Sequence, residues 1–432
     1  MLGRQEERGG MMSGPTLAEA LAVIPDRRRA HLRVHGLVPL LQVCVVAMLC
    51  GARSLYAIAQ WARERREDDP GLLLALGLAP GRSPCVATLH RVCKGLDVAA
   101  FEGAVGRWLG GSGIAPDALL CVDGKTLRGI HGEQLPGVHL VSVYAAQAGA
   151  VLAQVTAPGK GQELAAAKAA LAQAPLAGRV VAGDALQTQR DVRDQIVVAG
   201  GDYLLPIKEN QPALRADLAH VFSPLGVDEQ HEAGEPDLPA WKQRDWQERG
   251  VTLTTVKDAP RKAAHGRSER LVLWSLADSC QAARIGVPTP VGRPWSAGRP
   301  GRPLGPHVQQ LCRIERRRTN QRTGVTNLEV SYAITSLSPA KADAARLLAL
   351  LRDYWGIENR LHYVRDVTMG EDLAQIRCGA APQAMAVCPG AHWALTIALL
   401  RRAGVTNIAE VLRTHAGRPR AAATLVLGHQ LE

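Results

Sequence analysis

Apolar residues recur at three- and four-residue steps from Thr16 onward, where Leu17, Ala20, Leu21 and Ile24 set the rhythm of an amphipathic helix. The run Leu37–Cys50 is apolar almost throughout, broken by Pro39 and Gln42. It falls short of the ~20 residues that cross a bilayer and predicts a buried helix. Ser54 is placed to cap a helix through Tyr56, Ile58, Ala59 and Trp61, and Thr88–Val92 and Phe101–Leu109 keep the spacing. Gly110, Gly111, Ser112 and Gly113 then end it. The pattern predicts an all-α N-terminal domain over residues 16–112, after a disordered stretch, 1–15.

Past the glycines the period shortens. Leu119–Asp123, Val138–Ala145, Val151–Thr156, Arg179–Asp184 and Asp202–Ile207 read as strands, and Gly161–Ala174 and Thr188–Ala199 as helices. The order β-β-β-α-β-α-β over 117–207 predicts an α/β core, a mixed sheet with helices on both faces. Residues 208–340 form a β-rich insertion, with strands expected within Trp241–Val256, Leu271–Leu276 and Leu328–Ser336. From 341 to 432 helical spacing returns.

Charge changes this picture. The 432 residues carry a net charge of +11, which favours a polyanionic partner such as nucleic acid. The excess is local: residues 261–322 hold 13 Lys/Arg against 3 Asp/Glu. Within them Gly286–Pro306 has five Gly and six Pro and cannot form a regular element. Nine cysteines without a CxxC pair suggest a reducing, cytoplasmic compartment. Arg4, Glu6, Glu7 and Arg8 speak against a secretory signal, and no segment suggests a membrane span.

Two of the strands end on a carboxylate, Asp123 in Leu119-Leu-Cys-Val-Asp-Gly-Lys125 and Asp184 in Arg179-Val-Val-Ala-Gly-Asp. Alone, either is as much at home in a turn or a helix cap. As neighbours on parallel strands they would share the sheet edge where α/β proteins bind ligands. A third carboxylate, Glu358, falls with His362 and Arg365 at i, i+4 and i+7, on one face of an α-helix. Three carboxylates without a thiolate or His pair favour Mg²⁺ or Mn²⁺, and two such ions can clamp both oxygens of a phosphodiester exchange.

These residues resemble a family. Ala47–Ala59 with Thr88-Leu-His-Arg91, Val122-Asp-Gly-Lys-Thr-Leu-Arg-Gly129, Ala182-Gly-Asp-Ala-Leu-Gln-Thr188, Tyr203–Gln211 and Trp355-Gly-Ile-Glu-Asn359 with Leu361-His362 and Asp366-Val367 are similar to the H-repeat-associated, ISAs-type insertion-sequence transposases of the DDE class. The likeness runs over nearly the whole chain. It implies a ribonuclease H-like core with Asp123, Asp184 and Glu358 as catalytic metal ligands. It further implies cleavage of insertion-sequence ends and strand transfer, double-stranded DNA partners (terminal inverted repeats and target), a homodimer on DNA, and a place beside the bacterial nucleoid.

Lys125, Lys208, Asn210, Gln211, His362, Arg365, Arg316, Arg317 and Arg318 are the expected DNA contacts. Related transposases carry Arg four residues before the Glu and Lys seven after it; here these positions are Tyr354 and Arg365. Two stretches depart from the family, Asp278–Gln310 and Val387–Trp393, where Pro389 and Gly390 should break a helix. The alternatives are a catalytically impaired or domesticated DNA-binding protein derived from a transposase, and a ribonuclease H-type nuclease without transfer activity.

Overall fold

A computed structural model describes residues 15–110, 114–127, 138–157, 161–184, 188–222, 253–259, 261–263, 266–277, 307–370, 381–429 and 431. It divides into two compact units. One holds Met1–Ala115, Gly124–Ala174 and Glu358–Glu432, the other Pro116–Asp123 and Pro175–Ile357.

In the first unit, helices α1 (Leu17–Ala22), α2 (Leu37–Leu49), α3 (Leu55–Asp68), α4 (Pro70–Ala75), α5 (Val86–Gly95) and α6 (Val98–Gly110) form the expected helical region. Their starts follow local chemistry. Thr16 and Glu19 make a reciprocal capping box, and the Ser54 hydroxyl accepts from the Ala57 amide at 3.1 Å. Eleven of the thirteen residues of α2 are buried, as its apolar run demands. The helix packs against α11 (Ala381–Arg402) and α13 (Pro419–Leu427). The break expected at Pro389 and Gly390 does not occur, because α11 runs through both. One proline removes a single helical hydrogen bond, and the buried run Trp393–Leu400 outweighs that loss.

The same unit holds the hairpin of β2 (Val138–Ala145) and β3 (Ala150–Ala157), turned at Gly149 with φ +64°. The outer half of β1 (Leu119–Leu127) lies beside β2. On this sheet sit α6 and α7 (Glu163–Gln173). α6 approaches β3 so closely that a Cβ on Gly106 would lie 2.2 Å from the Leu152 carbonyl oxygen.

The second unit is built on the inner half of β1. Parallel to it run β4 (Val180–Gly183) and β5 (Asp202–Ile207). Strand β10 (Thr326–Thr335) pairs antiparallel with β5, followed by β9 (Gln310–Asn320), β8 (Arg267–Ala277) and β6 (Leu253–Lys257), with the short β7 (Arg261–Ala263) on β8. The insertion strands thus extend the core sheet edge to edge. Helix α8 (Arg190–Val198) packs on β5, α9 (Pro212–Phe222) on β9 and β10, and α10 (Ala344–Ile357) on β4, β5, β6 and β8. An antiparallel hairpin, then a parallel trio with crossover helices, is the ribonuclease H-like arrangement. Residues 1–14, Trp241, the Gly/Pro-rich run 278–306, and Glu371 and Asp372, which follow Asp366-Val367 in the resemblance to the family's catalytic helix, lie outside the described residues.

Candidate metal and DNA site

The register of β1 and β4 aligns Cys121 with Ala182 and Val122 with Gly183. The next residues are carboxylates: Asp123 stands within β1 where its pairing with β4 stops, and Asp184 just past the end of β4, so the two are neighbours at the end of the parallel ladder. Burial of Leu119–Val122 and Val180–Ala182, each at most 5% exposed, fixes this edge. The Lys208 ammonium lies 2.7 Å from Asp184 Oδ1, a cation already seated on the aspartate. Lys208–Gln211 is an exposed to half-buried turn between β5 and α9, closed by the Gln211 amide donating to the Lys208 carbonyl at 3.0 Å.

Tyr354, in the last turn of α10, faces the same pair of carboxylates. Burial pushes its phenol pKa up, and the negative charges of Asp123 and Asp184 push it further in the same direction. The hydroxyl is therefore a neutral donor beside two acceptors. The family pattern puts Arg at this position, so the sequence comparison alone missed an aspartate-facing group here.

In the first unit the chain passes from Ile357 into two consecutive π-turns, Glu358–His362 and Val364–Thr368. Such turns are rare and gather at functional sites. Carboxylate and imidazole ligand atoms of Glu358 and His362 lie within 4.8 Å of each other.

The expected Glu358–His362–Arg365 face is only half present. A π-turn takes roughly 4.4 residues, so the seven residues from Glu358 to Arg365 rotate ~210° and carry the arginine to the far side. Arg365 is 1% exposed. Its Nη1 donates to Gln154 Oε1 at 3.3 Å, and Gln154 Nε2 donates to Glu102 Oε1 at 2.9 Å. His362 is buried as well, and Lys125 forms an ion pair with Asp366.

The arginines of β9 do not form a free basic face. Glu315, fully buried, takes Arg313 at 2.6 Å and Arg317 at 3.1 Å. Arg313 also lies over Trp274 at 4.8 Å. Arg316 pairs with Glu269 and stacks on Trp355 at 5.2 Å, and Arg318 sits 3.7 Å from Glu329. Alternation along the strand explains the split: 313, 315 and 317 face one side, 316 and 318 the other. The sequence count of +10 over residues 261–322 already includes Glu269 and Glu315, but it cannot show that strand pairing sets these carboxylates against the β9 arginines or that Glu329 joins them from outside the window.

A family model described as "Transposase DDE domain" matches residues 115–387, and one described as "DDE_Tnp_1-associated" matches residues 18–109. The chain belongs to the transposase DDE family. "Putative transposase YncI" of Escherichia coli O157:H7 is 28% identical over 377 residues, covering 86% of this chain and 85% of that protein. The "H repeat-associated putative transposase YhhI" of Escherichia coli K12 is 24% identical over 372 residues, covering 85% and 86%. The transposase is thus a DNA-binding protein of a nuclease and transferase class that depends on divalent metal. No helix among its described residues is long and apolar enough to cross a membrane.

Proposed function

We propose that the transposase cleaves the ends of an insertion sequence and transfers them to target DNA, with Asp123, Asp184 and Glu358 as the catalytic ligands of Mg²⁺ or Mn²⁺. The observation that carries this reading is the β1–β4 register, which sets Asp123 beside Asp184 at one sheet edge. The donor set suits a hard cation: all three groups offer carboxylate oxygens, and Asp184 already holds the Lys208 ammonium. Two bound ions would polarise the scissile phosphate and stabilise the attacking and leaving oxygens.

The chain's own groups divide the remaining work. Tyr354 offers a neutral hydroxyl between the aspartates without adding charge. Lys208, Asn210 and Gln211 stand at the same sheet edge, where an exposed ammonium and two amides suit a phosphate backbone. Lys125, held by Asp366, braces the strand that carries Asp123. DNA contacts by Arg316, Arg317 and Arg318 would have to compete with their carboxylate partners. Holding two transposon ends at once calls for a homodimer on DNA.

The test substitutes Asp123→Asn, Asp184→Asn and Glu358→Gln. Each amide keeps the size and removes the anionic oxygen. Each variant should lose cleavage and joining in Mn²⁺ while binding end DNA within a few-fold of wild type. Normal joining by Glu358→Gln would sink the assignment of the third ligand. Wild-type protein that binds ends but never joins them would point instead to a decayed DNA-binding copy.

A further inference from the structure

Arg365 is a guanidinium folded into the interior between a sheet face and a helix, an unusual place for a residue expected to hold DNA. We infer that Arg365 is a positioning residue for Glu358, tied through Gln154 to the β2–β3 hairpin and to α6, and that it does not meet a DNA phosphate. The inference rests on the proposed role of Glu358 as a metal ligand.

Gln154 is held in one orientation. Its Oε1 accepts from Arg365 at 3.3 Å and from the Ser142 hydroxyl at 3.1 Å, while its Nε2 donates to Glu102 at 2.9 Å. An amide flip would turn the NH₂ group toward a guanidinium and a hydroxyl donor. All three members next to the arginine are fixed by regular structure: Ser142 on β2, Gln154 on β3 and Glu102 on α6. Ser142 and Gln154 are 3% and 4% exposed.

The segment between Glu358 and Arg365 has little slack, since it is wound into π-turns whose backbone is bonded internally. Fixing Arg365 therefore fixes the angle at which Glu358 leaves its turn. The same ~210° rotation that buries the arginine points Glu358 the opposite way. At 1% exposure the guanidinium offers a phosphate no surface, and freeing it would take from the Gln154 amide oxygen one of its two donors. The relay also ties in the N-terminal helical region, because α6 supplies its far end.

The test uses the full-length protein with Arg365→Lys, Gln154→Leu and the double variant. Single-turnover cleavage in Mn²⁺ should fall at least tenfold in each single variant, and the double should be no worse than the slower single, since both break one relay. Amide hydrogen exchange across residues 359–368 should speed up at least tenfold in both, with α12 (Ile408–Ala416) unchanged. The salt slope of metal-free end binding should stay at the wild-type value. A slope reduced by about 0.9 in Arg365→Gln, which removes the cation, marks a phosphate contact and overturns the inference. Unchanged exchange at 359–368 overturns it too. Faster exchange together with a fully active Glu358→Gln protein would keep the brace but reject Glu358 as its beneficiary, so the two failures stay distinct.

Discussion

Glu102 offers a stability measurement whose sign and size follow from its surroundings. Its carboxyl lies on α6 in a small groove shared with Phe101, Val105, Leu152, Gln154 and Ala394. Burial raises its pKa from 4.5 to about 8, a rise that the Gln154 amide and the Arg365 charge only partly offset. At neutral pH the folded protein keeps the proton and the unfolded chain releases it. Stability is then fullest below pH 4.5, falls as pH rises between 4.5 and about 8, and is level above that.

Each pH unit within that window costs about 1.4 kcal/mol, so the two units from pH 5.5 to 7.5 cost on the order of 2–3 kcal/mol. Glu102→Gln removes the titration and keeps an oxygen that accepts from Gln154 Nε2. Urea midpoints followed by tryptophan fluorescence at pH 5.5, 6.5, 7.5 and 8.5 provide the assay. The wild type should lose that increment relative to the variant as pH rises to 7.5, and the two curves should run parallel above pH 8.5. Parallel curves over the whole range would show that the carboxyl is already ionised at pH 5.5, and the buried, neutral Glu102 would be refuted.

Two further outcomes test the packing. Gly106→Ala forces a Cβ to within 2.2 Å of a backbone oxygen on β3, so α6 must back away from the sheet. Overpacking of this kind costs about 1–3 kcal/mol, and an unchanged melting temperature would disprove the close approach. Glu315→Gln leaves the buried Arg313 guanidinium without its anion. Removing one partner of a buried pair costs roughly 3–5 kcal/mol, and Arg313→Met with Glu315→Leu should recover most of it; a double variant as unstable as the single would refute the pairing.

What the sequence made legible was everything governed by local pattern. The strands that carry Asp123 and lead to Asp184, the hairpin turning at Gly149, the cap at Ser54 and the largely buried α2 sit where period and turn chemistry place them, although β1 runs on past Asp123 to Leu127. Adjacency of the two aspartates was legible as a condition, which the parallel β1–β4 register meets. The π-turns were not. Spacing arguments assume 3.6 residues per turn, and no single residue signals the wider winding that separates Arg365 from Glu358. The charge of β9 misled for a related reason: Arg316 and Arg318 find Glu269 and Glu329 on adjacent strands, and a net count over a window does not show which charges the strand pairing brings together.

Helix α2 is covered by α11 and α13, elements drawn from the far end of the chain. About 370 residues separate the end of α2 from the start of α13, and at ~5–20 residues per second a ribosome needs roughly 20–75 s to deliver the cover. Throughout that interval a thirteen-residue apolar helix waits with its outer faces wet. A chain cut short before these helices leaves the first unit without the cover of α2.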